Sequence, residues 1–272
     1  MFRIIFFGTP DYVIPVLEAL KKAGHEILAV VTQPPKPVGR KQVLTPSPVE
    51  IWAKTQGVRV LNNHSDLNEL SSEVGVLASY GRIVTKETLD VFPKGIINIH
   101  PSLLPKWRGA CPVQEQILAG EKNLGISLMV MDEQMDHGPI LKQQVVEMDS
   151  NDTQQSLLVK GFKIGAKMLV EILPFYVERR ILPKGQEHSK ATYTYKTLES
   201  KNKAYFDLDN PPALEQLDRM IRAFYPWPVA WTKWSGKIVK FYPGEIIQIE
   251  GKNPVKYGEF LRVYPDFPLK IG

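Results

Sequence analysis

"FRIIFFGTPDYVIPVLEALKKAG", residues 2–24, is the stretch that decides the fold. Phe2 to Phe7 is a largely apolar run without alternation, ending at Gly8, which reads as a strand buried on both faces. Asp11 to Ala23 then carries Val13, Val16, Leu17 and Leu20 at helical spacing and stops at Gly24. Glu26 to Thr32 resumes a strand pattern. A strand, a helix and a second strand within so few residues predict a βαβ unit and a parallel sheet covered on both sides. The same alternation continues outward. Strands are expected at Val58–Leu61, Gly75–Ser79, Gly95–Ile99 and Gly125–Val130, and helices at Pro48–Thr55, Thr85–Val91 and Cys111–Ala119.

A long amphipathic helix, about Gln154 to Tyr176, is expected to close this first domain, residues 1–182. Residues 183–204 are polar, basic and rich in turn formers, the composition of a linker. From residue 205 on, a helix over Pro212–Phe224 precedes short apolar runs around "VAWTKW", "KIVKFY", "EIIQIE", "FLRVY" and "FPLKI". Short strands at regular spacing predict a small barrel.

Composition narrows the function. The chain has 272 residues, 43% of them hydrophobic, enough for a sizeable core. The single Cys111 excludes an internal disulfide and any multi-cysteine zinc site, and fits a reducing cytoplasm. Nothing near Cys111 marks it as an activated nucleophile, so it reads as a packed thiol. The N-terminal apolar stretch is too short for a signal sequence, and no segment is long and apolar enough to span a membrane. A formal charge of +5 is compatible with a polyanionic partner or with a basic solvated surface.

The chemistry concentrates in "NIHPSLLPKWRG", residues 98–109. Residues i and i+2 of a strand share a face, so Asn98 and His100 point the same way at the end of a buried strand, over a loop pinned by Pro101 and Pro105. Ligands of open parallel sheets bind at the carboxyl ends of strands. A second strand end, Met129–Met131, runs into "MDEQMDHGPI", a turn dense in carboxylates. An acid there would orient His100 and favour its protonated form. An amide and an imidazolium aimed at one spot form an oxyanion-binding pair. No serine or cysteine nucleophile is evident, so the substrate supplies it, which points to acyl-type transfer by direct attack.

Weaker patterns stay open. "FFGTPD" resembles a phosphate-binding turn but lacks the full glycine fingerprint, and a helix cap explains it equally. His100, Asp136 and His137 lack metal-ligand spacing, and no metal is expected. The loop 33–48, "QPPKPVGRKQVLTPSP", is long and basic at Lys36, Arg40 and Lys41, which suits phosphates or a plain surface loop.

With these segments in hand, the chain resembles the folate-dependent formyltransferases over essentially its whole length. The likeness rests on "FFGTPDYVIPVLEAL", "VTQPPKPVGRKQVLTPSPV", "ASYGRIV", "INIHPSLLPKWRGACPVQEQILAG", "GISLMVMDEQMDHGPIL" and "IRAFYPWPVAW", in that order. The Asn-x-His-x-Ser-Leu-Leu-Pro element with a downstream Asp-x-Gly is specific to this superfamily. The PWP-x-x-W element and the Gln-Pro loop point to its tRNA-directed branch.

The resemblance implies an α/β, Rossmann-like, mostly parallel sheet domain. A small OB-like β-barrel domain would follow, contacting tRNA and truncated, since relatives continue into further barrel strands. It implies formyl transfer from 10-formyltetrahydrofolate to the α-amino group of initiator methionyl-tRNA. Asn98, His100 and Asp136 match the family's catalytic trio. Tyr80, Gly81, Arg82, Ile83, Val84, Ser102, Leu103, Leu104, Pro105, Asp132 and Gly138 match its folate pocket. Lys36, Arg40 and Lys41 match the loop that reads the tRNA acceptor end.

Pro101 stands where the tRNA branch commonly has a small residue, and Arg82 with "DHGPI" resembles the branch that formylates glycinamide ribonucleotide. A small-amine formyltransferase, acting on that substrate or on a nucleotide amino sugar, and a non-catalytic RNA-binding module are the rival readings.

Overall fold

In the computed structural model, which describes residues 1–39 and 41–270, the N-terminal apolar run forms β1 (Arg3–Gly8). Along the chain follow α1 (Ile14–Lys22), β2 (Glu26–Val31), β3 (Lys36–Val38), β4 (Val43–Thr45), α2 (Pro48–Thr55), β5 (Arg59–Leu61) and β6 (Val74–Ala78). Next come α3 (Lys86–Leu89), β7 (Ile96–His100), α4 (Pro112–Leu118), β8 (Asn123–Val130), β9 (Ile140–Glu147) and α5 (Gln154–Val177). The remainder holds α6 (Ser200–Lys203), α7 (Leu214–Ala223), β10 (Ala230–Trp234), β11 (Lys237–Tyr242), β12 (Ile246–Ile249), β13 (Val255–Lys256) and α8 (Tyr257–Val263).

Two units emerge. The first comprises Met1–Arg108, Gly125–Val146 and Leu158–Tyr193; the second comprises Gly109–Leu124, Glu147–Leu157 and the chain from Thr194 on. The stretch read as a linker, 183–204, therefore divides, its first part belonging to the first unit and the rest to the second.

The first unit is built on a seven-stranded sheet in the order β5-β2-β1-β6-β7-β8-β9. Its strands from β5 to β7 pair in parallel. Residues 4–7 of β1 are fully buried, as a strand without alternation requires. Ile5 and Phe7 join Ala29, Val31, Leu77 and Phe92 in one cluster. On α1, Val16, Leu17 and Leu20 are the buried face, as their spacing predicts. Ser47 caps α2 by accepting the Glu50 amide at 3.0 Å, and Pro48 sits in the first turn. On α5, Gly165 faces β7: a Cβ there would lie 2.5 Å from Cγ2 of Ile99, so only glycine lets helix and strand approach this closely.

Two strands depart from the expected pattern. β8 runs antiparallel to β7, pairing Asn98 with Met129 and His100 with Ser127. The helix between them, α4, belongs to the second unit, so no crossover helix of the first unit forces β7 and β8 parallel. β9 has no counterpart in the sequence reading because it is a sheet-edge strand, half-buried and mixed in polarity. The 33–48 loop contains a hairpin, β3 paired antiparallel with β4, whose Val38, Val43 and Leu44 are exposed. Arg40 lies outside the described residues.

The second unit has a four-stranded antiparallel sheet in the order β10-β11-β12-β13. Its core gathers Leu217, Met220 and Phe224 with Val239, Phe241, Ile247, Tyr257, Phe260 and Phe267. The run "FLRVY" belongs to α8, not to a strand: the helix buries Tyr257 and Phe260, an i, i+3 pair of which the five-residue run contains only Phe260, so the run alone shows no helical period. "FPLKI" adds no strand among the described residues, although Phe267 and Leu269 are buried. Cys111 is buried in this unit, and loss of hydration pushes its thiol above the ordinary value, the behaviour of a packing residue.

Candidate active site

β7 delivers two polar side chains into an otherwise apolar layer. Asn98 is 6% exposed and His100 is 4% exposed. They do share a face, and both reach the same oxygen. Asn98 Nδ2 donates to Oδ1 of Asp136 at 3.3 Å, and His100 Nδ1 stands 3.6 Å from it. On its other side, His100 Nε2 donates to the carbonyl of Trp107 at 3.1 Å. Both ring nitrogens thus face oxygens that can only accept.

Because β8 is antiparallel, its end at Val130 lies beside Ile97 and not beside His100. The carboxylate turn bends back to bring Asp136 to the pair. It is held at its base by Met131 N to Ile96 O at 2.8 Å and Val130 N to Pro139 O at 2.9 Å. Asp136 adopts a left-handed backbone, φ 49°. Gly138 is required for steric reasons: a Cβ would sit 1.9 Å from the carbonyl oxygen of Val130.

The Pro-bounded loop is fastened to β8. Ser127 Oγ donates to Ser102 O at 2.6 Å and accepts from Leu104 N at 3.1 Å, while Gln143 Nε2 donates to Leu104 O at 2.8 Å. Ser102 and Leu104 are buried, so these two hold the loop in place. Trp107, whose carbonyl meets His100, is also left-handed at φ 62°. Strain of this kind clusters at functional sites.

Of the other expected pocket residues, Tyr80, Arg82 and Ile83 line an open cavity of about 540 Å³ together with His64, Thr88 and Val91. Ser102–Pro105, Asp132 and Gly138 do not line it. Asp132 instead accepts from His137 Nδ1 at 2.6 Å. The His137 ring stacks on His188, with centroids 3.9 Å apart and planes 4° from parallel. His188 is held below the ordinary imidazole value by lost hydration, then by His137 and Arg108, with Asp132 opposing. Lys36 pairs with Gln33 and stays exposed, as does Lys41.

Sequence reasoning missed Arg108, Gln186, Ser127, Gln143 and the Trp107 carbonyl. Arg108 stood in plain view in "WRG" with no periodicity to give it a role, and Gln186 lay in a stretch whose composition reads as linker. Among the described residues, no group of three His, Cys, Asp or Glu side chains could hold a metal ion, and no helix is long and apolar enough to cross a membrane.

Residues 2–173 match the family model for formyl transferase, and residues 200–272 match the formyl transferase C-terminal domain. The chain belongs to the formyltransferase family. It is 41% identical to methionyl-tRNA formyltransferase of Chloroflexus aurantiacus over 92% of this chain and 82% of that protein. With methionyl-tRNA formyltransferase of Caldanaerobacter subterraneus the identity is 36% over 99% and 88%. The fold is shared with an N-formyltransferase from Helicobacter canadensis in complex with folinic acid and dTDP-3-aminofucose, at TM-score 0.66 and 17% identity over 92% and 95% of the two chains.

Proposed function

We propose that this formyltransferase moves a formyl group from 10-formyltetrahydrofolate to the α-amino group of methionyl-tRNA. The observation that carries the chemistry is the convergence of Asn98 and His100 on one anionic oxygen, Asp136 Oδ1. A donor set that holds a carboxylate oxygen can hold the oxygen of a formyl group as it gains charge. The relatives' shared name and their identity over most of both chains support the tRNA substrate.

The folate donor supplies an electrophilic formyl carbon, and would leave as tetrahydrofolate when the bond from that carbon to its nitrogen breaks and the nitrogen takes up a proton. Tyr80 to Val84 at the end of β6, with Ser102–Pro105, Asp132 and Gly138, would hold it. Exposed Ile83 beside Arg82 offers an apolar surface with a cationic rim for a flat, partly anionic ligand. The substrate amine has a pKa of roughly 7.7–8.0 in model compounds, so a useful neutral fraction exists near pH 7 and no strong base is needed before attack. Asn98 Nδ2 and His100 Nδ1 would donate to the developing oxyanion, Nε2 of His100 being committed to the Trp107 carbonyl. Asp136 would keep the imidazole oriented and collect the amine's proton, directly or through water.

The hairpin of β3 and β4, with Lys36, Arg40 and Lys41, would meet the acceptor end of the tRNA, its exposed valines and leucine stacking or packing there and its cations meeting phosphates.

One assay tests the substrate. 10-Formyltetrahydrofolate is supplied with methionyl-tRNA, glycinamide ribonucleotide or a nucleotide amino sugar, and the product is identified. Formylation of methionyl-tRNA is expected, with a salt dependence that flattens in Arg40→Ala and Lys41→Ala because each lost phosphate contact reduces counterion release. Formylation of a small amine alone would overturn the tRNA reading.

A further inference from the structure

Residues 174–199 fall outside both regions matched by the formyl transferase models. Within them, residues 184–193 lie along the two loops that build the site. Lys184 exchanges both backbone hydrogen bonds with Ile140, at 2.7 and 2.8 Å. Thr192 receives the amides of Trp107 on its hydroxyl at 2.9 Å and of Arg108 on its carbonyl at 2.8 Å. One end of this strap therefore grips the strand after the carboxylate turn, and the other grips the chain after the Pro-bounded loop.

Between those anchors lies Gln186, 8% exposed. Its Nε2 donates to the carbonyl of Asp136 at 2.9 Å and to the carbonyl of Gly138 at 2.7 Å. Its Oε1 accepts from Arg108 at 2.7 Å. A cation on one side and two carbonyls on the other leave one orientation for the amide. Arg108 is 2% exposed, and the same nitrogen that meets Gln186 also donates to His188 Nδ1 at 2.9 Å. A guanidinium never gives up its charge, so it holds the Gln186 oxygen, and with it the amide direction, at every working pH.

We propose that Gln186 is a positioning residue for Asp136, held in orientation by buried Arg108. This inference rests on the catalytic reading of Asp136. The physical reason is the left-handed backbone at Asp136. That conformation is costly for a residue with a Cβ, and the cost is of the order that a pair of hydrogen bonds offsets. Gln186 supplies that pair, one to Asp136 itself and one just beyond it. If the peptide relaxes, the carboxylate leaves the 3.3 Å and 3.6 Å separations it keeps from Asn98 and His100. A displacement of about 1 Å in such a constellation can cost on the order of a hundredfold in rate.

The test is a double-mutant cycle on the full chain with methionyl-tRNA and 10-formyltetrahydrofolate, each rate normalised to folded protein by circular dichroism. Gln186→Met should lower kcat roughly 10- to 100-fold with KM for both substrates within about twofold. In an Asp136→Asn background the same change should cost less than about twofold, because the group it positions is already disabled. Exposed Glu187→Ala is the control and should leave kcat unchanged. Equal losses in both backgrounds, or no loss in the parent, would overturn the positioning role. If Gln186→Met does not fold, Gln186→Glu keeps the oxygen facing Arg108 and replaces the donor, and the same two outcomes apply to it. Full activity of Asp136→Asn alone would instead sink the catalytic reading of Asp136, whatever Gln186 does.

Discussion

Two histidines of the first unit, His64 and His100, face a polar partner at each ring nitrogen, yet their surroundings ask different things of them. His64 meets the Tyr80 hydroxyl at 3.0 Å and the Thr88 hydroxyl at 2.9 Å. Hydroxyls donate or accept as required, so a neutral ring satisfies both, and burial followed by the Arg82 charge hold His64 below the ordinary imidazole value. His100 meets a carbonyl and a carboxylate, which only accept. A ring placed among adaptable partners is a structural pin. A ring placed among obligate acceptors is a donor, and the proposed reaction would use that donor beside Asn98 and Asp136.

The difference is sharpest at Asp136. Asp136→Asn keeps the shape of the turn but removes the charge facing His100 and the proposed acceptor for the amine's proton. We expect kcat to fall on the order of 10²- to 10⁴-fold with a melting temperature within a few degrees of the parent. A protein that loses stability but keeps its activity per folded molecule would put His100 in the same structural class as His64. Asn98→Ala comes next. Losing one oxyanion donor typically costs on the order of 10²- to 10³-fold in rate, so steady-state kinetics should show kcat falling that far while KM changes little. Near-normal turnover would leave Asn98 as a buried hydrogen-bonder only.

How much of this was legible beforehand follows from the range over which each signal acts. The βαβ start, the Asn98 and His100 face and the buried Cys111 are local patterns, carried by residues 2–32, 96–100 and 111 themselves. The direction of β8 depends on which unit claims α4, and no residue near Gly125 records that. β9 escapes because an edge strand buries too little to show a period. The brace on Asp136 spans 50 residues of chain between Gln186 and its partner, through a side-chain amide in a polar stretch. Local composition cannot distinguish such a glutamine from a solvated one.

On the His64 side, changes should move stability and not rate. Thr88→Val is close to isosteric and removes the partner of His64 Nδ1, a part-buried position. Leaving that nitrogen unsatisfied should cost about 1–2 kcal/mol in urea unfolding, with kcat within about twofold of the parent. A tenfold loss of kcat at unchanged stability would mean that His64 takes part in the reaction itself and not only in the wall of the donor's pocket, and the contrast between the two histidines would fail.

The smallest expected effect is the dependence of stability on pH. His64, His25 and His188 are all held below their ordinary value, each first by lost hydration. Phe2 N donates to His25 Nδ1 and Arg108 donates to His188 Nδ1, so both of those nitrogens act as acceptors on neutral rings. The unfolded chain titrates these groups near pH 6.5. As pH falls below that value the unfolded chain binds protons that the folded chain refuses, so stability is fully present above about pH 6.5 and declines as pH drops towards the lowered folded values. Urea midpoints measured from pH 7.5 to 5.5, above the range where carboxylates dominate, should therefore fall with decreasing pH. His64→Gln keeps a polar group between the two hydroxyls but removes the titration, so its midpoint should fall less steeply than the parent's. Identical slopes would show that His64 accepts a proton in place as readily as it does unfolded, and the hydroxyl partners would then not be holding it neutral.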